Sequence, residues 1–353
     1  MTSKERVRAA IRRETPDRVP ATMQCVETAW EKLIKHFGVE TTDEVQDLLD
    51  IDTRIMDLPP YIGPEHPPVI NENGETEHVH PFGGYRYINK WNGVEYNWHM
   101  VYFPLGEIET WEQFEAYDNW PNPDHFDYDA VKAFCDKHEG RAIRIGWPGP
   151  YQVFTMLYPA EKFYMMMMDE PELTKAMLNR YCDASLEIYR RMFEASGDRI
   201  DILRCCDDYG SQRGLLFSPT MWDEFFADNT KRFVELAHAH GCYYLQHSCG
   251  AIRSIIPNLI RCGVDIIEPL QKVVGLEVEG LKKDFGDKLC FQGGVDTQGV
   301  LPFGTPQEVQ EETEHIIRVL GEGGGYILAP SQDFEGDVPV ENILALYKAR
   351  GKL

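Results

Sequence analysis

No stretch of this 353-residue chain approaches the roughly 20 consecutive apolar residues of a membrane helix, so no membrane role is expected. Its start, Met1 to Arg8, is charged and helical in pattern and lacks the apolar core of a secretory signal. An even, closely spaced cysteine framework is also missing. The nine cysteines are an odd, scattered set, read as reduced thiols of a cytoplasmic protein with one or a few spare for metal. Basic charge is scarce. Against 58 acidic residues stand 35 basic ones, and the net charge of −23 with no local basic patch excludes nucleic-acid binding. The same field opposes a polyanionic substrate. No Gly-x-Gly-x-x-Gly follows the first strand-like run, which argues against a dinucleotide fold.

What is present is an ordinary globular composition with a strong rhythm. Hydrophobic residues make up 43% and charged residues 26%, enough for one large core. Short β-rich runs alternate with helical patterns. The runs are Val19–Gln24, Ile51–Leu58, Ala142–Trp147, Ile200–Cys206, Cys242–His247, Val264–Pro269, Leu289–Gly293 and Gly325–Ala329. Helix punctuation between them is clear. Ser218-Pro219 supplies an N-cap and a first-turn proline for a helix that stops at Gly241. Thr305 to Glu308 is a capping box, and its helix closes near Gly321–Gly325. Alternation predicts a parallel sheet, and eight runs with apolar interiors favour a (β/α)8 TIM barrel over a doubly wound sheet. The chain reads as one domain, residues 1–353. Residues 60–125 break the rhythm and read as an insertion covering one end. It contains a hairpin with an Asn92-Gly93 turn, followed by a rigid linker at Trp120–Asp124. Met165–Met168 reads as helix core.

Polar residues collect where the apolar runs end. One run ends Cys205-Cys206-Asp207-Asp208-Tyr209-Gly210-Ser211-Gln212, the next His247-Ser248-Cys249-Gly250. The others end at Glu268 to Gln271, Gln292 to Gln298 and Pro330 to Asp333. In a barrel these ends converge on one mouth. His247 and Cys249, two apart on a strand, share a face, and imidazole and thiolate are preferred zinc ligands. Alone the pair fits a core histidine beside a buried thiol; its company points to a site. A catalytic zinc takes three protein ligands. Glu268 is the first candidate for the third, ahead of Asp208 and Asp333, while Cys290 lies deeper and reads as core. Glu268 also has a rim ion pair open to it. A carboxylate would neutralise the +1 charge left by a neutral His and one thiolate, and would keep the zinc a hard Lewis acid. Asp208 and Glu268 are the candidate catalytic carboxylates, and neighbouring Asp207 and Asp208 face opposite ways, so one of them enters the mouth. Tyr209, Gln212, Gln292, Asp296 and Ser331 are the candidate substrate contacts. Tyr151, Trp147 and Phe334 also flank strand ends. Gly210, Gly293 and Gly294 let loops turn closely over the site.

Several segments together resemble the uroporphyrinogen decarboxylase-like superfamily, in its corrinoid-dependent methyltransferase branch. They are Asp207 to Gly214, Ser218-Pro219, Leu245 to Gly250, Gln292 to Gln298, Leu301 to Glu308 and Gly325 to Ser331. The resemblance spans nearly the whole chain. It implies a (β/α)8 barrel with its active site at the mouth. The decarboxylases of this superfamily carry arginines after the first strand, whereas Ala21–Trp30 here has none. Thiol methyltransferases of this branch bind zinc with a His-x-Cys pair and a later Cys near the last strand. Here His247 and Cys249 match the pair, but Ala329–Asp333 holds no cysteine. The implied function is zinc-dependent transfer of a methyl group from a small donor, a phenyl methyl ether in an O-demethylation, to the Co(I) corrinoid (cobalamin) of a partner protein. A carboxy-lyase and a non-catalytic binding barrel are the alternatives, and a homodimer is left open.

Overall fold

The computed structural model describes residues 1–91 and 94–351. Among the described residues eleven strands run in chain order: β1 (Thr53–Met56), β2 (Val69–Ile70), β3 (Thr76–Val79), β4 (Arg86–Trp91), β5 (Val94–Tyr102), β6 (Ala142–Ile145), β7 (Ile202–Cys206), β8 (Tyr243–His247), β9 (Ile266–Glu268), β10 (Cys290–Gln292) and β11 (Tyr326–Ile327). Seven form one curled parallel sheet in the order β1-β6-β7-β8-β9-β10-β11, with helices between successive strands. The strands are one to four residues shorter than the apolar runs that predict them. Val19–Gln24, read as a strand, pairs with its neighbours only through isolated bridges at Ala21–Leu328 and, just past its end, Cys25–Phe334. Pro20 has no N–H to extend the ladder. The segment still touches both edges of the sheet: Leu328 N–H donates to Pro20 C=O at 2.8 Å, and Asp52 N–H to Ala21 C=O at 2.9 Å.

The parallel register aligns the strands so that one face can be read residue by residue. Ile202 stands beside Arg144 and Tyr243, Leu245 beside Ile266 and Arg204, and His247 beside Cys206 and Glu268. Ala142, Ile202, Leu245, Ile266, Cys290 and Ile327 make a dry layer closed from below by Val7 and Ile11 of the N-terminal helix. Two residues further along the same strands, on the same face, come Arg144, Arg204, His247, Glu268 and Gln292, every one buried. The floor is hydrocarbon and the storey above it is charged.

The helix N-capped by Ser218 begins at Pro219 but breaks at Phe226 and resumes as Ala227–Ala239. Thr305 and Glu308 form the expected capping box of the helix Pro306–Leu320. Met166 and Met167 are buried in the helix Ala160–Asp169, while Met165 and Met168 on its other side are exposed. Strands β2 to β5 form a separate antiparallel sheet. The turn expected at Asn92-Gly93 lies outside the described residues. This sheet packs beside the C-terminal end of β6: the His80 ring sits 5.1 Å from that of Trp147, and Leu105 N–H donates to Leu157 C=O.

Candidate metal centre

Strand parity selects the groups that meet at the mouth. On β7 the inward residues are Ile202, Arg204 and Cys206, and the next in that series is Asp208. On β8 they are Leu245, His247 and then Cys249. Asp208, His247 and Cys249 bring a carboxylate oxygen, an imidazole nitrogen and a sulfur within 4.8 Å of one another. His247 Nε2 is 3.3 Å from Asp208 Oδ1 and 3.6 Å from Cys249 Sγ. The two loops are fastened together. Cys249 N–H donates to Asp208 Oδ1 at 2.9 Å, and Ala251 N–H to Ser211 C=O at 2.8 Å. Gly210 and Gly250 make this approach feasible: Gly250 has φ +86°, and a methyl group there would run into the Gly210 backbone.

Around these groups lies a ring of polar supports. Gln152 Nε2 donates to Asp208 Oδ2 at 2.9 Å, and its Oε1 accepts the Cys206 thiol at 2.9 Å. Gln332 Nε2 donates to Cys249 Sγ at 3.2 Å. Behind the imidazole, Nδ1 is 3.2 Å from Glu268 Oε2 and 2.6 Å from Arg204 Nη2, while Arg204 Nε donates to Glu268 Oε2 at 2.7 Å. Glu268 is therefore not beside Cys249. It sits against the ring nitrogen that faces away from the cluster, because β9 lies on the far side of His247 and Arg204 captures its carboxylate. Asp208, and not Glu268, is the carboxylate that the fold brings beside His247 Nε2 and Cys249.

Electrostatics separates the adjacent carboxylates. Burial pushes the Asp207 carboxyl up to about 7, against the pull of Gln152 N–H, Tyr151 N–H, Gln246 and Tyr209. Burial also acts on Asp208, but His247 and the Cys249 N–H outweigh it and hold the group at about 2. Burial of Glu268 is likewise overcome by Arg204 and His247, which keep it well below the usual carboxylate range. Burial raises the Cys249 thiol, with His247 pulling the other way.

The remaining expected contacts scatter. Tyr209 is fully buried, its hydroxyl on Asp207 Oδ2 and its ring among Tyr151, Phe217, Trp222 and Phe226; it belongs to the wall, not the mouth. Gln212 is exposed on the loop. Asp296 accepts Gln298 N–H in a local turn, and Ser331 Oγ accepts Thr297 N–H, stitching two loops together. Gln292 alone of that set reaches the charged layer, 1% exposed. Arg144, Gln152, Arg204 and Gln332 were not singled out in the sequence. An arginine at the centre of an apolar strand, in phase with His247, is the signal for the two arginines. Gln152 and Gln332 lie on loops, where periodicity carries none.

A parallel α/β sheet with Asp208, His247 and Cys249 clustered at its strand ends defines a broad class. The uroporphyrinogen decarboxylase (URO-D) family model matches residues 102–353, and the chain belongs to that family. Methylcobamide:CoM methyltransferase MtaA of Methanosarcina barkeri is 26% identical over 205 residues, 58% of this chain and 56% of that protein. The match thus spans little more than half the length of that relative. A uroporphyrinogen decarboxylase of Pseudoalteromonas atlantica is 28% identical over 67 residues, 19% of this chain and 18% of its own. A methyltransferase from Methanosarcina mazei shares the fold with a TM-score of 0.70 at 19% identity, covering 99% of this chain and 98% of its own. Among the described residues no helix is long and apolar enough to cross a membrane.

Proposed function

We propose that this chain is a methyltransferase that moves a methyl group from a small donor, a phenyl methyl ether, to the Co(I) corrinoid of a partner protein. The observation that carries the reading is the convergence of Asp208, His247 and Cys249 within 4.8 Å, in a chain similar to a methylcobamide methyltransferase. The donor set fits zinc. A carboxylate, a thiolate and a neutral imidazole balance a divalent ion, and three protein ligands leave a position open for substrate. Zinc held there would polarise the donor's ether oxygen as a Lewis acid and so make it a better leaving group.

The chain's own residues do the positioning. Metal binding would require a free lone pair on His247 Nε2, so Nδ1 would carry the proton and donate it to Glu268 Oε2, and Arg204 Nη2, now 2.6 Å from Nδ1, would have to turn away because two donors cannot face each other there. Glu268 thus acts through His247, as a positioning residue. Arg204 neutralises Glu268 and keeps it aimed at the ring. Gln152 orients Asp208, and Gln332 donates to the Cys249 sulfur, which tempers its charge. That both sheet edges hydrogen-bond the Pro20–Ala21 segment supports a closed (β/α)8 barrel around this centre. The test is anaerobic methyl transfer to Co(I) cobalamin from a panel of methoxyarenes, methylamines and thioethers, with zinc content measured in parallel. Cobalamin methylation by methoxyarenes that disappears in Cys249→Ala is the expected result. Transfer that persists at full rate without bound zinc would refute the metal assignment.

A further inference from the structure

The curled sheet has an open seam beside β1. Asp52 N–H donates to Ala21 C=O, and the Thr22 and Thr53 hydroxyls meet at 2.6 Å. Beyond them, among the described residues, no backbone hydrogen bond joins residues 23–25 to residues 54–57. The gap continues as a cavity of about 500 Å³, walled by Arg54, Asp57 and Asp333 on the sheet side and by Trp30, Gln46 and Phe134 on the helix side. That volume suits a small molecule. The polar groups facing it are short of partners. Gln46 is 9% exposed, and its side-chain amide makes no hydrogen bond with any described residue. Arg54 is 2% exposed; Nη1 donates to the Ile51 and Thr53 carbonyls and Nη2 pairs with Asp47, but Nε has no hydrogen-bond partner. Among the described residues the Asp333 carboxylate accepts no hydrogen bond and joins no ion pair; only its N–H is engaged, by Gln332 Oε1 at 3.1 Å. The Asp57 carboxylate has one long contact, 3.5 Å from Arg144 Nη2. Burial raises the Asp333 carboxyl, helped by Glu268, against the pull of Arg204, Arg144 and His247. Buried polar groups are nearly always satisfied, so this set around one cavity points to a missing ligand.

We propose that this cavity is a second small-molecule site, for an organic ammonium ion whose far end carries an uncharged oxygen. Asp333 and Asp57 take the ammonium; Arg54 Nε and the Gln46 amide take the oxygen. The charges decide the sign of the ligand. A carboxylate without a donor is costlier to bury than an amide without one, and what it lacks is a cation. The cations already in the wall do not supply it: Arg54 is paired with Asp47, and Lys137 with Asp43. Trp30 and Phe134 offer ring faces, which attract a cation and not an anion. The net charge of −23 acts in the same direction. A bare metal ion fits less well, because among the described residues only Asp208, His247 and Cys249 gather at ligand spacing. The length of the ligand follows from the strand. Arg54 and Asp57 are three residues apart, about 10 Å along an extended chain, so its two polar ends are separated by a spacer of several carbons. The site is independent of the methyl-transfer reading and needs neither zinc nor a corrinoid.

The test is calorimetry on the full-length protein with 3-aminopropanamide, 4-aminobutanamide and 5-aminopentanamide. Each is compared with the amide that lacks the amine: propanamide, butanamide or pentanamide. At least one amine should bind about 10- to 100-fold tighter than its neutral partner, the worth of a hydrogen bond to a charged group. Asp333→Asn keeps the shape and removes the charge, and should bring the two affinities together to within a few-fold. Gln46→Leu should weaken the amino amide by about 3- to 10-fold, the worth of a neutral hydrogen bond, and leave the plain alkylammonium of equal length unchanged. Should Asp333→Asn fail to fold, Gln46→Leu and the wild-type ratio decide. The preference should be the same with zinc added and after chelation. No binding of any amine, equal binding of amine and neutral amide, a preference that survives Asp333→Asn, or one that appears only with zinc would overturn the site.

Discussion

The two storeys of the sheet interior share strands, face and burial but not chemistry. Below, Ala142, Ile202, Leu245, Ile266, Cys290 and Ile327 pack against Val7 and Ile11. Two residues on, Arg144, Arg204, His247, Glu268 and Gln292 occupy the equivalent positions. Burying charge is costly unless each group is paired, and replacing such pairs by hydrocarbon is often neutral or stabilising. The lower storey shows that these strands accept hydrocarbon. The upper storey holds charge that packing does not require, which makes it the candidate functional layer. Its pairing is also graded: Arg204, Glu268 and His247 are tied to each other, whereas Arg144 and Gln292 keep donors in reserve.

The largest effect expected from breaking this contrast is at the sulfur. Cys249→Ala removes one of the three proposed ligands, and zinc bound per chain, measured by mass spectrometry after dialysis, should fall from stoichiometric to background. Full retention would move the site elsewhere. Next comes Arg204→Met, which strands the Glu268 carboxylate in the interior and should cost about 3–5 kcal/mol in denaturant unfolding. Ile202→Ala, one storey down on the same strand, should cost a similar 2–5 kcal/mol through its cavity. The pair separates the storeys: the arginine change should also weaken zinc binding, and the isoleucine change should leave it intact. Equal effects on zinc would mean that the storeys are coupled through folding alone. Glu268→Gln is milder and should weaken zinc by about 10- to 100-fold, as lost support of a metal-bound histidine usually does, read by competition with a chelator.

How much of this the sequence discloses follows from period and distance. The seven paired strands all fall within apolar runs visible in the chain, because a buried parallel strand must be apolar on both faces. The eighth run did not become a paired strand, and Pro20 explains why. His247 and Cys249 are legible because two residues of one strand suffice to place them together. The carboxylate that joins them is not, since it depends on which neighbouring strand supplies it. The choice of Glu268 weighed strand adjacency but not Arg204, whose claim on that carboxylate crosses from β7 to β9. The resemblance had placed a further zinc cysteine near the last strand. Gln332 stands there instead, and its amide touches the Cys249 sulfur.

The smallest expected effect concerns the two neighbouring carboxylates, and it sharpens the comparison because one faces the mouth and the other the wall. Asp207 holds its proton up to about 7 in the fold, against an ordinary 3.8. Between those values the unfolded chain has released the proton and the folded chain has kept it. Stability from this group is therefore full below 3.8 and falls as the pH rises towards 7, staying level above. Asp208 behaves oppositely in the metal-free protein. Its carboxyl is held at about 2, so its stability is full above 3.8 and is lost as the pH falls towards 2. The two windows meet at the ordinary aspartate value, and the pair alone gives a stability maximum near pH 4. Denaturant unfolding of zinc-free protein across this range should show both limbs. Asp207→Asn should flatten the limb above pH 4, and Asp208→Asn the limb below. A wild-type profile level between pH 4 and 7 would mean that Tyr151 N–H, Gln152 N–H, Tyr209 and Gln246, which all donate to Asp207, outweigh its burial and keep it charged. The wall would then hold a carboxylate as firmly ionised as the mouth does, and the electrical distinction between the two faces of this strand end would be gone.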